Sequence, residues 1–382
     1  MSGLSHSEAA RTPGWERYPP LRIRADGSAF EVLDQTVLPF TVRFLTIDDA
    51  GGCANAIRGM QLRGAPLIGV AAAAGMALAA RADARDGALH SAANELLASR
   101  PTAVNLRWAV AGMLRLLEAL PVAERAEAAL AHARALQDAE HHCCERIGEQ
   151  GLELLRSAAR SPRAQARGRL DVLTHCNAGW LATGAWGTAL APLYKAAAEG
   201  LDLHVWVDET RPRNQGARLT AWELGQAGIA HSIVVDNCAA HLMQRGMVDL
   251  CLVGSDRTTA SGDVCNKIGT YAKALAALDN GVPFYVALPC STIDWEIADG
   301  VAEIDIEARD AAEVLMHEGA AADGSLHRLR AAPEGSVAVN FAFDVTPSRL
   351  VSALICEHGV FSADGGGMSR LRGVASGAPE QV

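Results

Sequence analysis

The sequence predicts an α/β chain, with a mostly helical N-terminal domain carrying a small β element and then a parallel-sheet domain. Three observations predict it. Leu21 to Leu33 alternates apolar and polar residues around Asp26-Gly27. From Thr46 to about Ala135 the pattern is helical and rich in Ala, Leu and Arg. From Arg169 onward short β-rich runs alternate with helical stretches, which implies right-handed crossovers and a parallel sheet.

Taken in order, residues 1–15 read as a loose polar leader. The alternation about Asp26-Gly27 reads as a hairpin. Pro101 and Pro121 punctuate the helical part, and Ala126 to Ala159 forms a long helical stretch that can bridge the domains. The predicted strands are Leu170–Thr174, His204–Val207, Ser232–Val235, Leu250–Val253 and Phe284–Ala287. The division is residues 1–135 for the helical domain, 136–361 for the α/β domain and 362–382 for a flexible tail opened by Gly365 to Gly367.

Composition excludes several classes. The formal net charge is −10, with 44 acidic against 34 basic residues, which argues against a nucleic-acid partner. A single phosphate on a small substrate remains compatible, since a few cations and backbone N–H groups suffice. The longest apolar stretch, Leu67 to Ala80, is Ala-rich, broken by Gly69 and Gly75, and too short for a bilayer. Nine scattered cysteines and no apolar signal core indicate reduced thiols in a cytoplasmic protein without a membrane association.

Ligands bind parallel sheets beyond the carboxyl ends of the strands. Four predicted strand ends carry polar, catalysis-capable residues: His175-Cys176-Asn177, Asp208-Glu209-Thr210-Arg211, Gly254-Ser255-Asp256-Arg257 and Pro289-Cys290-Ser291. Cys176 reads either as a thiol activated by a helix starting near Gly179 or as a buried structural thiol. Asp256 reads either as a desolvated proton carrier or as a cap or salt-bridge partner of Arg257. Asp263 reads as a cap for a helix starting near Val264. Arg63-Gly64-Ala65-Pro66 combines a cation with small residues before a helix, and Arg100-Pro101 is a similar, weaker signal. Gln215-Gly216 and Asn266-Lys267 each open a predicted helix. His141-His142-Cys143-Cys144 lacks zinc spacing, because adjacent helical residues diverge. Trp206 and Trp222 read as core.

Together these segments resemble the methylthioribose-1-phosphate isomerase family. The matching stretches are Arg63–Gly69, Arg100–Leu106, Thr174–Gly179, Glu209–Leu224, Gly254–Tyr271 and Phe343–Pro347, in the family's order. The resemblance implies a Rossmann-like domain that binds no dinucleotide, a homodimer, and a place in methionine salvage. It implies conversion of 5-methylthioribose 1-phosphate to 5-methylthioribulose 1-phosphate without metal or organic cofactor. It makes Cys176 and Asp256 catalytic, with Asp256 shuttling protons and Cys176 stabilising the transition state. It makes Arg63, Gly64, Ala65, Arg100, Gln215, Asn266 and Lys267 the contacts of a small phosphorylated sugar. Related isomerases act on 5-deoxyribose 1-phosphate or ribose 1,5-bisphosphate, and the latter demands a second basic cluster that the sequence does not reveal. Non-catalytic initiation-factor-2B-like subunits share the fold. The chain departs from the family at Ser255, usually Ala, and at Phe341, where a proline is usual.

Overall fold

The computed structural model describes residues 14–377. The polar leader therefore lies outside the described residues, apart from Gly14 and Trp15, which open a short helix at Gly14–Arg17.

Strands β1 (Leu21–Ile23), β2 (Phe30–Leu33) and β3 (Phe44–Ile47) form an antiparallel sheet. The hairpin turns where expected: Asp26 accepts from the Ser28 amide at 3.0 Å and its hydroxyl at 2.8 Å. Thr46 belongs to β3, so the helical run begins later than the sequence pattern indicated, at α1 (Ala50–Arg58). There follow α2 (Ala65–Ala82), α3 (Asp86–Ser99), α4 (Val104–Glu118) and α5 (Val122–Ala159). By length and hydropathy α2 could cross a membrane. Its alanines and glycines instead let neighbours approach closely and bury it. A Cβ on Gly69 would lie 3.1 Å from the Asn105 carbonyl oxygen. At 38 residues α5 is about 57 Å long. It runs unbroken through residues 135 and 136 and feeds two cores: Ala129, Ala133 and Leu136 join the N-terminal cluster, while Ile147, Leu152 and Leu155 join the one beneath the main sheet.

The second half is built on β4 (Leu170–Thr174), α6 (Ala191–Ala198), β5 (Leu203–Asp208), α7 (Ala221–Gln226), β6 (His231–Val234), α8 (Cys238–Gln244), β7 (Leu250–Val253), β8 (Arg257–Thr259), β9 (Val264–Lys267), α9 (Thr270–Asp279), β10 (Phe284–Ala287), β11 (Ile293–Asp294), β12 (Met316–Ala320), β13 (Leu326–Arg330), β14 (Phe343–Thr346), β15 (Ala353–Cys356), β16 (Gly359–Phe361) and α10 (Gly365–Gly377). The main sheet has the order β16-β15-β10-β7-β4-β5-β6, parallel except for the antiparallel edge strand β16. Helices α5, α6 and α7 pack on one face and α8, α9 and α10 on the other. A smaller sheet, β11-β8-β9-β14, stands at its carboxyl edge, and β12 and β13 form a separate hairpin.

Three sequence expectations are corrected. The glycine run at 365–367 opens a helix, because Asp364 accepts from the Gly367 amide at 2.8 Å and Met368 and Leu371 are buried. Asn266 and Lys267 close β9 instead of opening a helix. Asp263 caps no helix at Val264; its carboxylate accepts from the amides of Gly300 at 3.1 Å and Ser348 at 2.9 Å, pinning two distant loops.

Candidate active site

In the main sheet the chain runs outward from β4 to β5 and β6, then returns to place β7 on the other side of β4. Adjacent crossovers diverge at that switch point and leave a crevice at the carboxyl ends. Cys176 leaves β4 and Asp256 leaves β7, so the two flank it. The crevice is lined by all nine residues singled out above: Arg63, Gly64, Ala65, Arg100, Cys176, Gln215, Asp256, Asn266 and Lys267.

Backbone geometry aims Cys176. Its φ is 65°, a left-handed conformation uncommon without glycine. Two threonine hydroxyls hold it there. Thr210 accepts from the Cys176 amide at 2.9 Å, and Thr220 donates to the Cys176 carbonyl at 2.7 Å. The expected activating helix is absent: Gly179 precedes only one short turn, Trp180–Ala182. Burial pushes the Cys176 thiol up, opposed by Arg63 and Lys267, so it holds its proton near neutrality. The sequence reading of a lowered thiol pKa is thus corrected. Burial also raises the Asp256 carboxyl, opposed by Lys267, Arg100 and Arg63. Among the described residues its carboxylate has no hydrogen-bond or ion-pair partner, in contrast to a structural cap.

The cations are positioned from both halves of the chain. Buried Arg63 donates to the side-chain and backbone carbonyls of Asn177, the latter at 2.7 Å. Asn177 in turn donates to Glu223 at 2.9 Å. Glu223 also accepts from the amides of Trp180 and Leu181 and from the Tyr194 hydroxyl, at 2.9, 3.1 and 2.8 Å. Lys267 donates to the Ala342 carbonyl at 2.9 Å and stacks 4.3 Å from the centre of the Phe343 ring. Arg100 pairs with Glu307 at 3.1 Å. Gly64, at φ 97°, precedes α2; no side chain caps that helix, and its first residues, Ala65 and Pro66, line the crevice.

Two buried polar atoms at this wall lack partners among the described residues: Arg100 Nε and Gln215 Oε1. Such atoms are costly unless a ligand satisfies them. A donor and an acceptor left open beside Arg63, Lys267 and a free helix N-terminus suit a phosphorylated polyol. Asn266 is committed to Thr270 at 3.0 Å through its amide nitrogen, leaving its oxygen for the crevice.

Sequence reasoning missed several partners. Glu307 lies 207 positions from Arg100 and carries no local signal. Asn177, Thr210, Thr220 and Glu223 lay within the matched stretches, but nothing in their spacing reveals that they support Cys176 and Arg63. Phe341, in place of the usual proline, bridges to Ala308 and is half-exposed, beside Ala342 rather than in the crevice lining.

Comparison with known proteins agrees with this geometry. The profile of the Initiation factor 2 subunit family matches residues 61–363. The methylthioribose-1-phosphate isomerase of Rhodospirillum rubrum is 54% identical over 356 residues, 93% of this chain and 91% of that protein. The one from Acidiphilium cryptum is 56% identical over 340 residues, 89% of this chain and 91% of that protein. The crystal structure of 5-methylthioribose 1-phosphate isomerase from Pyrococcus horikoshii superposes with a TM-score of 0.80 at 34% identity, covering 98% of this chain and all (100%) of that one. The translation initiation factor eIF-2B subunit delta from A. fulgidus gives 0.73 at 37% identity, covering 90% and 96%. The chain belongs to the Initiation factor 2 subunit family, and within it to the methylthioribose-1-phosphate isomerases.

Proposed function

We propose that this chain isomerises 5-methylthioribose 1-phosphate to 5-methylthioribulose 1-phosphate, a step of methionine salvage. The observation that carries the reading is the convergence of Cys176, Asp256, Arg63 and Lys267 on one crevice in a chain so similar to proteins of that name.

The phosphate is held by Arg63, Arg100 and Lys267 with the first amides of α2. Asp256, its carboxyl pushed up by burial, gives its proton to the ring oxygen as the bond from C1 breaks. Hydrogen then moves from C2 to C1, and the C2 hydroxyl proton returns to the carboxylate as the ketone forms. Cys176, a neutral thiol, donates a hydrogen bond to the oxygen on which charge develops. Whether hydrogen moves as hydride or through an enediol is read by turnover in deuterated water, where label at C1 marks the enediol route.

At C5 the lining favours a methylthio group. Met60, Ala182, Pro289 and Phe343 line the crevice with apolar surface. A second basic cluster does exist beside it, at Arg211, Arg213 and Arg218, but it is engaged. Arg213 pairs with Glu313 at 2.8 Å, Arg218 donates to the carbonyls of Thr36 and Leu38 at 2.6 and 2.9 Å, and Arg211 donates to Val314 at 2.9 Å. The test is kcat/KM for 5-methylthioribose 1-phosphate, 5-deoxyribose 1-phosphate and ribose 1,5-bisphosphate, read by ketose formation. The methylthio sugar should be best; preference for the bisphosphate, or no turnover of any, would overturn the reading.

The working form is a cytoplasmic homodimer on this reading. Exposed Leu326, Leu329, Val337 and Val339, on and after the β12–β13 hairpin, supply apolar surface for such a contact. Light scattering on the purified protein should give twice the chain mass.

A further inference from the structure

Behind the reaction crevice, β10 and β15 run side by side and end together, with the Leu288 amide donating to Ile355 at 3.0 Å. Beyond those ends lie Cys290 on one segment and Glu357 and His358 on the other, in the turn between β15 and β16. One ligand atom each of Cys290, Glu357 and His358 lies within 4.8 Å of the others. The Cys290 amide donates to both Glu357 carboxylate oxygens, at 3.2 and 3.1 Å. Glu140 and Cys143 of α5 lie close enough to Glu357 to feel its charge.

We propose that Cys290, Glu357 and His358 form a binding site for a thiophilic divalent cation, zinc above all. A thiol, an imidazole and a carboxylate supply three ligands of a tetrahedral zinc ion, and water can take the fourth position. Metal–ligand bonds of about 2.0–2.3 Å place such ligand atoms roughly 3.3–3.8 Å apart. Closing from the observed spread takes about 1 Å of side-chain movement, and Glu357 and His358, 13% and 19% exposed, sit at a turn that can supply it. The charge balance also calls for a cation. Acidic groups crowd here, and among the described residues no Lys or Arg pairs with the carboxylate of Glu357 or Glu140. Arg146 reaches only the Glu357 backbone carbonyl, at 3.4 Å. Another such group among the described residues, His175 with Asp208 and Asp236, differs here, because Lys273 already sits 3.0 Å from Asp208.

The site does not touch the reacting atoms. Its role is to clamp the segment whose Pro289 lines the crevice and whose Ser291 accepts from Asn105 at 3.0 Å. Metal binding would displace the Cys290 thiol proton and tie the ends of two strands to one ion.

The test is calorimetric titration of chelator-stripped protein with zinc chloride, alongside cobalt(II) spectra. One equivalent should bind, cobalt should give the visible bands of a tetrahedral thiolate site, and zinc should raise Tm. Cys290→Ser, and the milder His358→Ala should the first fail to fold, should each weaken binding at least tenfold and abolish the Tm shift. Cys176→Ala should leave binding unchanged. No binding by the parent protein, equal binding by the His358→Ala protein, or loss of binding in the Cys176→Ala protein would overturn the proposal.

Discussion

Asp256 and Cys176 owe their character to burial opposed by cations, three at Asp256 and two at Cys176, and that opposition makes a pH prediction. Asp256 must start protonated, so kcat/KM falls as pH rises through its folded pKa. Lys267 lowers that pKa and Glu307 raises it. Lys267→Met should therefore move the alkaline limb to higher pH, and Glu307→Gln should move it to lower pH. Limbs that stay in place, or move together, would remove Asp256 from that role. The two residues were legible as candidates because each follows an apolar strand. The direction of the Cys176 shift was not legible, because it depends on burial in the folded chain, and the left-handed backbone there is held by Thr210 and Thr220, 34 and 44 positions away in sequence.

Among the elements, α2 connects sequence to site most directly. The run from Arg63 to Gly69 announced a helix start beside a cation, and the structure places that start at the crevice. Gly64 is required there: its φ is 97°, and an added Cβ would meet the Ala182 carbonyl oxygen at 2.4 Å. Gly64→Ala should cost about 1–3 kcal/mol of stability and raise KM for the sugar phosphate more than it lowers kcat. Thermal unfolding and steady-state kinetics check this; a variant of normal Tm and KM would contradict the close approach. The central strands were readable because buried parallel strands are continuous apolar runs. The short strands β8, β9 and β14 were not, since polar residues such as Asn266 and Lys267 stand in them and find side-chain partners at Thr270 and the Ala342 carbonyl only once the chain is folded. The glycine run before Met368 misled for a related reason, because packing of Met368 and Leu371 outweighs poor local helix propensity.

At the scale of the molecule, one site is assembled from two cores joined by α5. Arg63 and Arg100 come from the first half, and Cys176, Asp256 and Lys267 from the second. Composition and the change of period at Arg169 revealed both halves, but the way they face one another rests on long-range bonds such as Arg63–Asn177 and Arg100–Glu307, which no local pattern encodes. A ligand that spans them should stabilise the whole fold. Ketose 1-phosphate at a hundred times its Kd should add about 2.7 kcal/mol, and Arg63→Ala should abolish the gain; equal stabilisation of that variant would place the phosphate elsewhere. The most direct measurement of the central claim is turnover of 5-methylthioribose 1-phosphate by the parent protein, Cys176→Ala and Asp256→Asn, each first shown to be folded. The account predicts ketose formation by the parent and losses of roughly 10²–10⁴-fold in kcat for both variants. Near-normal turnover by either variant would contradict it.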